Sequence, residues 1–182
     1  MILYTVIPCY NEEAVINETA RRLRCKYIDL IQSGIIDKES RILFVNDGSK
    51  DNTWKMISEL HDNDSLFTGI SLSHNRGHQN ALLAGLMTAM EFADAVISMD
   101  ADLQDDIAAI DEMISKYNSG CDIVYGVRSN RKKDSFFKRT TAQSFYKLMS
   151  SMGAETIYNH ADYRLMSRRA LDALAQYKEV NL

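Results

Sequence analysis

Five short apolar runs, each closed by a polar loop, alternate along this chain with segments of helical spacing. Residues 2–7, 42–45, 66–72, 95–99 and 122–127 read as strands. Between and after them, residues 12–31, a segment capped by Asp51 or Asn52, and residues 77–93, 107–117, 135–152 and 167–177 read as helices. Asn11 is the expected cap of the first helix and Ser167 of the last. A strand–helix–strand alternation of this kind implies an α/β fold, a mainly parallel sheet with helices on both faces. At 182 residues the chain is long enough for one well-packed domain.

The fourth run ends in acids. The stretch VISMDADLQDD, residues 96–106, places Asp100, Asp102, Asp105 and Asp106 directly after a buried strand. Ligands of open α/β sheets bind outside the carboxyl ends of the strands. Carboxylates crowded there repel one another unless a cation or a hydrogen-bonding ligand offsets their charge. Asp-x-Asp suits Mg²⁺ or Mn²⁺, and such an ion suits a diphosphate. Asp105 and Asp106 also fit the first turn of the next helix, where the dipole favours acids. A calcium loop is disfavoured, because Asp105 stands where such a loop needs glycine and Asp111 where it needs glutamate.

Composition narrows the class. Net charge is −4, so there is no global basic signal for nucleic acid. Cys9, Cys25 and Cys121 are too few and too scattered for a disulfide framework or a metal site. No run approaches 18 apolar residues, and the first residues lack a signal-peptide pattern. The pattern leaves self-association into an oligomer open.

Polar loops follow the other strands as well, and a shared cleft at one sheet edge is the default reading. Four motifs occur in order: VIPCYNEE at residues 6–13, VNDGSKDNT at 45–53, NRGHQNA at 75–81 and MDADLQDD at 99–106. A fifth, DYRLMSR, covers 162–168. Together they resemble glycosyltransferase family 2, the inverting sugar-nucleotide transferases of GT-A (Rossmann-like) fold. The last two motifs look most like its polyprenyl-phosphate glycosyltransferases, the group of the dolichol-phosphate mannose synthases. Asp106 departs from the proline common at that place. The Gln-x-x-Arg-Trp signature of processive synthases is absent, since Trp54 is the sole tryptophan.

The resemblance implies one GT-A catalytic domain over residues 1–182. Relatives continue into a membrane-anchoring segment, so a longer protein, peripheral to or anchored at the cytoplasmic membrane face, is the expectation. It also implies roles. Pro8, Tyr10, Asn11, Glu12 and Asp47 would hold the base and ribose of a nucleotide sugar, most simply a UDP-sugar. Arg76, Gly77 and Gln79 would meet the donor, with His78 beside them. Asp100 and Ala101 would face the ribose or the outer shell of the metal, and Asp102 would bind Mg²⁺ or Mn²⁺ directly. Asp162 and Arg164 are the catalytic candidates, one orienting the acceptor or acting as base, the other binding phosphate. A structural Asp–Arg pair is the bland alternative.

Arg128, Arg131, Lys132, Lys133, Lys138 and Arg139 form a basic cluster ahead of an aromatic helical segment. Such a cluster suits an anionic membrane surface and a lipid phosphate. A solvated loop before a core helix is the plain alternative. The leading expectation is therefore a metal-dependent inverting transferase acting on a polyprenyl phosphate. A transferase acting on a saccharide acceptor and a non-catalytic nucleotide-binding module remain open beside it.

Overall fold

The computed structural model describes residues 1–102, 104–127 and 160–176, with the backbone alone described at 127 and 160–162. The basic cluster from Arg128 to Arg139 and the helix expected over 135–152 lie outside the described residues.

Six strands form one sheet: β1 (Leu3–Cys9), β2 (Arg41–Asn46), β3 (Phe67–Ser71), β4 (Ala95–Ser98), β5 (Ile123–Val127) and β6 (His160–Ser167). Their order is β3-β2-β1-β4-β6-β5. The first four are parallel, whereas β6 runs antiparallel to both neighbours. The helices are α1 (Ile16–Gln32), α2 (Thr53–Asn63), α3 (His78–Ala89), α4 (Ala109–Asn118) and α5 (Arg168–Ala175). Strand β6 is an addition to the expected five.

Period-two alternation sorts the strand residues onto two cores. Leu3, Ile7, Ile42, Phe44, Ala95 and Ile97 face α1, α2 and α4. Val6, Leu43, Val45 and Val96 face α3 and α5. Helix α1 is amphipathic: Ile16, Ala20, Leu23, Tyr27 and Leu30 recur at helical spacing and are all buried. The Tyr27 hydroxyl is satisfied inside the core by Thr5, at 2.7 Å. Helix α3 comes close enough to the sheet that a Cβ on Gly85 would lie 2.4 Å from a Val6 methyl.

Several helix starts differ from the expected ones. α1 begins at Ile16, because residues 11–13 are held by the loop after β2. Asn11 is in the left-handed region, φ 57°, and caps nothing. α4 begins at Ala109, leaving Asp105 and Asp106 in the preceding loop; its first-turn acids are Asp111 and Glu112. Ser167 caps α5 as expected, accepting from the Ala170 amide at 3.1 Å. Among the described residues no helix is long and apolar enough to cross a membrane.

Candidate active site

The carboxyl ends of β1, β2, β3 and β4 lie along one edge of the sheet, since these strands are parallel. The loops that follow are tied to one another. After β1, the Asn11 amide donates to Ser49 Oγ at 3.0 Å, and Asn11 Oδ1 accepts from the Lys50 amide at 2.9 Å. The Glu12 amide donates to Thr53 Oγ1 at 2.8 Å. Glu13 Oε2 accepts from the Asn52 amide, while the Glu13 amide donates to Asp51 Oδ2. These reciprocal bonds fix the first two loops as one body. Tyr10 stands exposed on that body, while Pro8, paired with Val45, is buried beneath it.

Asp47 holds the third loop. It is 1% exposed, and its two oxygens accept from the Arg76 and Gly77 amides at 2.6 and 2.9 Å. The sequence assigned Asp47 to the base and ribose of a nucleotide; in the structure it is buried and both its oxygens support the Arg76–Gly77 turn. Gly48 lets the loops come this close. At φ 65° it is in the left-handed region, and a Cβ there would lie 2.6 Å from the backbone of His74 and Asn75. Arg76 and Gln79 are exposed at the start of α3.

After β4, Met99 and Ala101 are buried in the core shared with α1. Asp100, next to them, is partly exposed and Asp102 is exposed. The loop folds back on itself: the Asp100 amide lies 3.4 Å from Asp105 Oδ2, and Asp102 Oδ1 accepts from the Gln104 amide at 3.0 Å. His78 Nε2 of α3 is 3.7 Å from Asp100 Oδ1, which links the third and fourth loops.

The charges at this edge act on one another. Glu12 has its carboxyl raised above the ordinary range by burial first, then by Asp102, Asp51 and Asp100. Glu12 and the Asp-x-Asp acids therefore share one region of negative potential. Among the described residues no three His, Cys, Asp or Glu side chains are placed to hold a metal by themselves. Asp102, the exposed member, is the residue that could hold a divalent ion if other oxygens completed its shell.

Strand β6 enters the sheet at the same edge. It pairs Arg164 with Ser98 on one side and Tyr125 on the other. Its direction carries the backbone of Asp162 two residues beyond that level, toward the edge where Asp100 lies. The Arg164 Nε is buried and has no hydrogen-bond partner among the described residues. A buried guanidinium nitrogen without an acceptor is costly, which makes Arg164 a donor suited to an incoming anion.

Sequence reasoning named most of the residues gathered here but missed what holds them. Thr19 donates to the Ala101 carbonyl, Tyr163 to the Asp106 carbonyl, and Asp105 lies against the Asp100 amide. Thr19 carries no local signal, since it reads as an ordinary residue of the first helix, whereas Tyr163 lies within the DYRLMSR motif but its tie to the loop after β4 is not visible in sequence.

Residues 4–175 match the glycosyl transferase family 2 profile. The chain belongs to glycosyltransferase family 2. It is 53% identical over 181 residues to YkoT of Bacillus subtilis, an uncharacterised glycosyltransferase, covering all of this chain and 54% of that protein. It is 39% identical over 183 residues to the bactoprenol glucosyl transferase of Shigella phage SfV, covering all of this chain and 57% of that protein. The chain thus spans about half the length of the curated relatives it matches. In fold it is similar to glucosyl-3-phosphoglycerate synthase from Mycobacterium tuberculosis, solved with Mn²⁺, UDP and phosphoglyceric acid. That superposition has a TM-score of 0.57 at 19% identity, over 92% of this chain and 56% of the other. The GT-A architecture read from the motifs is the architecture found.

Proposed function

We propose that this family 2 domain transfers a sugar from a nucleotide sugar, a UDP-sugar first among candidates, to a polyprenyl phosphate with inversion at the anomeric carbon. The observation that carries the donor half is the placing of Asp100 and Asp102 just past β4 at the carboxyl edge, with Asp100 3.7 Å from His78 of the neighbouring loop and Asp102 exposed beside it. The similarity along the whole chain to a bactoprenol glucosyl transferase supports the acceptor half.

The residues divide the work. The body formed by the first two loops, with Tyr10 exposed on it, receives the base and ribose. Asp47 serves the nucleotide through the Arg76–Gly77 turn that it supports. Asp102, assisted by Asp100, would hold Mg²⁺ or Mn²⁺. The structural neighbour solved with Mn²⁺ and UDP supports that choice. Such an ion, when bound, neutralises the diphosphate as it departs.

An acceptor phosphate is ionised at neutral pH, so its oxygen needs positioning more than deprotonation. It attacks the anomeric carbon from the face opposite the leaving group. One oxygen–carbon bond forms as the carbon–oxygen bond to the nucleotide breaks, and the electron pair leaves with the nucleoside diphosphate. Arg164, whose buried Nε has no partner among the described residues, is assigned to the acceptor phosphate, and Asp162 to its orientation. The basic cluster of Arg128, Arg131, Lys132 and Lys133 is assigned to the anionic membrane surface that carries the lipid.

Calorimetry with UDP tests the donor half. UDP should bind at least about tenfold more tightly with Mn²⁺ than with EDTA, and Asp102→Asn should remove most of that difference, because a carboxylate ligand is lost. Equal affinity with and without metal in the wild type would refute it.

A further inference from the structure

The segment that carries Asp100 and Asp102 has no regular secondary structure, so its shape depends on what tethers it. Ala101, between the two acids, is buried, and its carbonyl accepts a 2.7 Å hydrogen bond from the Thr19 hydroxyl. Thr19 lies in the first turn of α1 and is fully buried. Its second contact, to the Val15 carbonyl at 3.1 Å, is the usual back-bond of a helical threonine and is the longer of the two. Further along the loop, the Tyr163 hydroxyl donates to the Asp106 carbonyl at 3.0 Å. The Tyr163 ring is part of the core and lies close against Gly126. Both tethers therefore come from regular elements, one from a helix and one from a strand.

A valine at position 19 would fill the same space as threonine. Threonine gives the Ala101 carbonyl a hydroxyl donor that valine lacks, and among the described residues that hydroxyl is the donor found there; a buried carbonyl without a partner is unfavourable. The loop would then rearrange to bring that carbonyl to water, and both acids would move with it. Binding groups held by a rigid shell lose less freedom when a ligand arrives.

We propose that Thr19 and Tyr163 are positioning residues for the Asp100–Asp102 pair, fixing the loop backbone so that Asp102 meets a divalent ion and a diphosphate already ordered. The proposal rests on the donor-site reading above.

The test compares Thr19→Val, Thr19→Ser and Tyr163→Phe with the wild type. UDP affinity is measured with Mn²⁺ and with EDTA, and uridine serves as a ligand without a diphosphate. Thr19→Val should reduce the Mn²⁺-dependent gain in UDP affinity by about tenfold, the effect of one well-placed hydrogen bond. Thr19→Ser keeps the hydroxyl and should stay within about twofold of the wild type, while Tyr163→Phe should lose about threefold. Uridine affinity should be unchanged throughout. A wild-type Mn²⁺ gain in Thr19→Val would overturn the proposal, and so would equal losses for uridine and UDP, the sign of general loosening. If Thr19→Val does not fold, Tyr163→Phe decides, because it keeps the ring and its packing. A wild type with no Mn²⁺ dependence would instead overturn the donor-site reading, and the positioning proposal with it.

Discussion

Asp47→Ala separates a structural from a direct role for the most buried acid at the site. Asp47 is 1% exposed and satisfies two backbone amides, those of Arg76 and Gly77. Hydrogen bonds to a charged group contribute about 1.5–3 kcal/mol each, and their loss leaves buried donors unpaired. The two are not additive, so about 3 kcal/mol is a reasonable total for the alanine variant. For a domain of this size each kcal/mol shifts the melting temperature by about 2–4 °C, so a fall of about 6–12 °C is expected. Asp47→Asn keeps one acceptor oxygen and should fall by about half as much. Thermal denaturation followed by circular dichroism reads the shift, and UDP titration on the same samples reads binding, which should weaken as the Arg76–Gly77 turn loosens. A melting temperature within about 1 °C of the wild type, together with lost UDP affinity, would refute the reasoning. Asp47 would then touch the nucleotide directly and support nothing.

Two further outcomes are expected. Asp122 is held below the ordinary carboxylate range by its hydrogen bonds from Arg169 and then Ser167. A depressed folded value gives stability above the unfolded value, near pH 4, that is lost as pH falls through the folded one. The gap in melting temperature between wild type and Asp122→Asn should therefore be constant from about pH 5 to 8 and close below about pH 4; a gap that persists in acid contradicts this. Reversing Arg131, Lys132 and Lys133 to Glu should sharply reduce sedimentation with anionic vesicles at low salt, since each basic residue contributes about 1 kcal/mol near such a surface. It should leave UDP affinity unchanged, and identical sedimentation would return the cluster to a solvated loop.

Much of the fold was legible because buried strands and amphipathic helices carry strong periodic signals. Ile42–Phe44 and Leu43–Val45 alternate onto opposite cores, and Ile16 to Leu30 recur at helical spacing. β6 was not legible as a strand. Its place between β4 and β5 depends on pairing with residues far away in the chain, such as Ser98 and Tyr125 with Arg164, which no local pattern records. Helix starts were misjudged for a related reason. Asn11 looks like a cap, but its side chain is taken by the Lys50 amide, 39 residues away in sequence. At the site, the exposed Asp102 announced itself through charge, whereas Asp47, buried as a support, carried the same signal with a different use. Thr19, which bonds the Ala101 carbonyl from behind, looks like any other core residue, and Tyr163 lies in a motif without disclosing its bond to the Asp106 carbonyl.

Transfer of sugar to a lipid phosphate can be measured outright. The protein is incubated with radiolabelled UDP-glucose, Mn²⁺ and undecaprenyl phosphate in detergent, and label is counted in the organic phase after extraction. Lipid-extractable label should appear, should require both the metal and the lipid phosphate, and should be lost in Asp102→Asn and Arg164→Ala. Protein that binds UDP in a Mn²⁺-dependent way, yet puts no label on the lipid from any of a panel of UDP- and GDP-sugars, would contradict it.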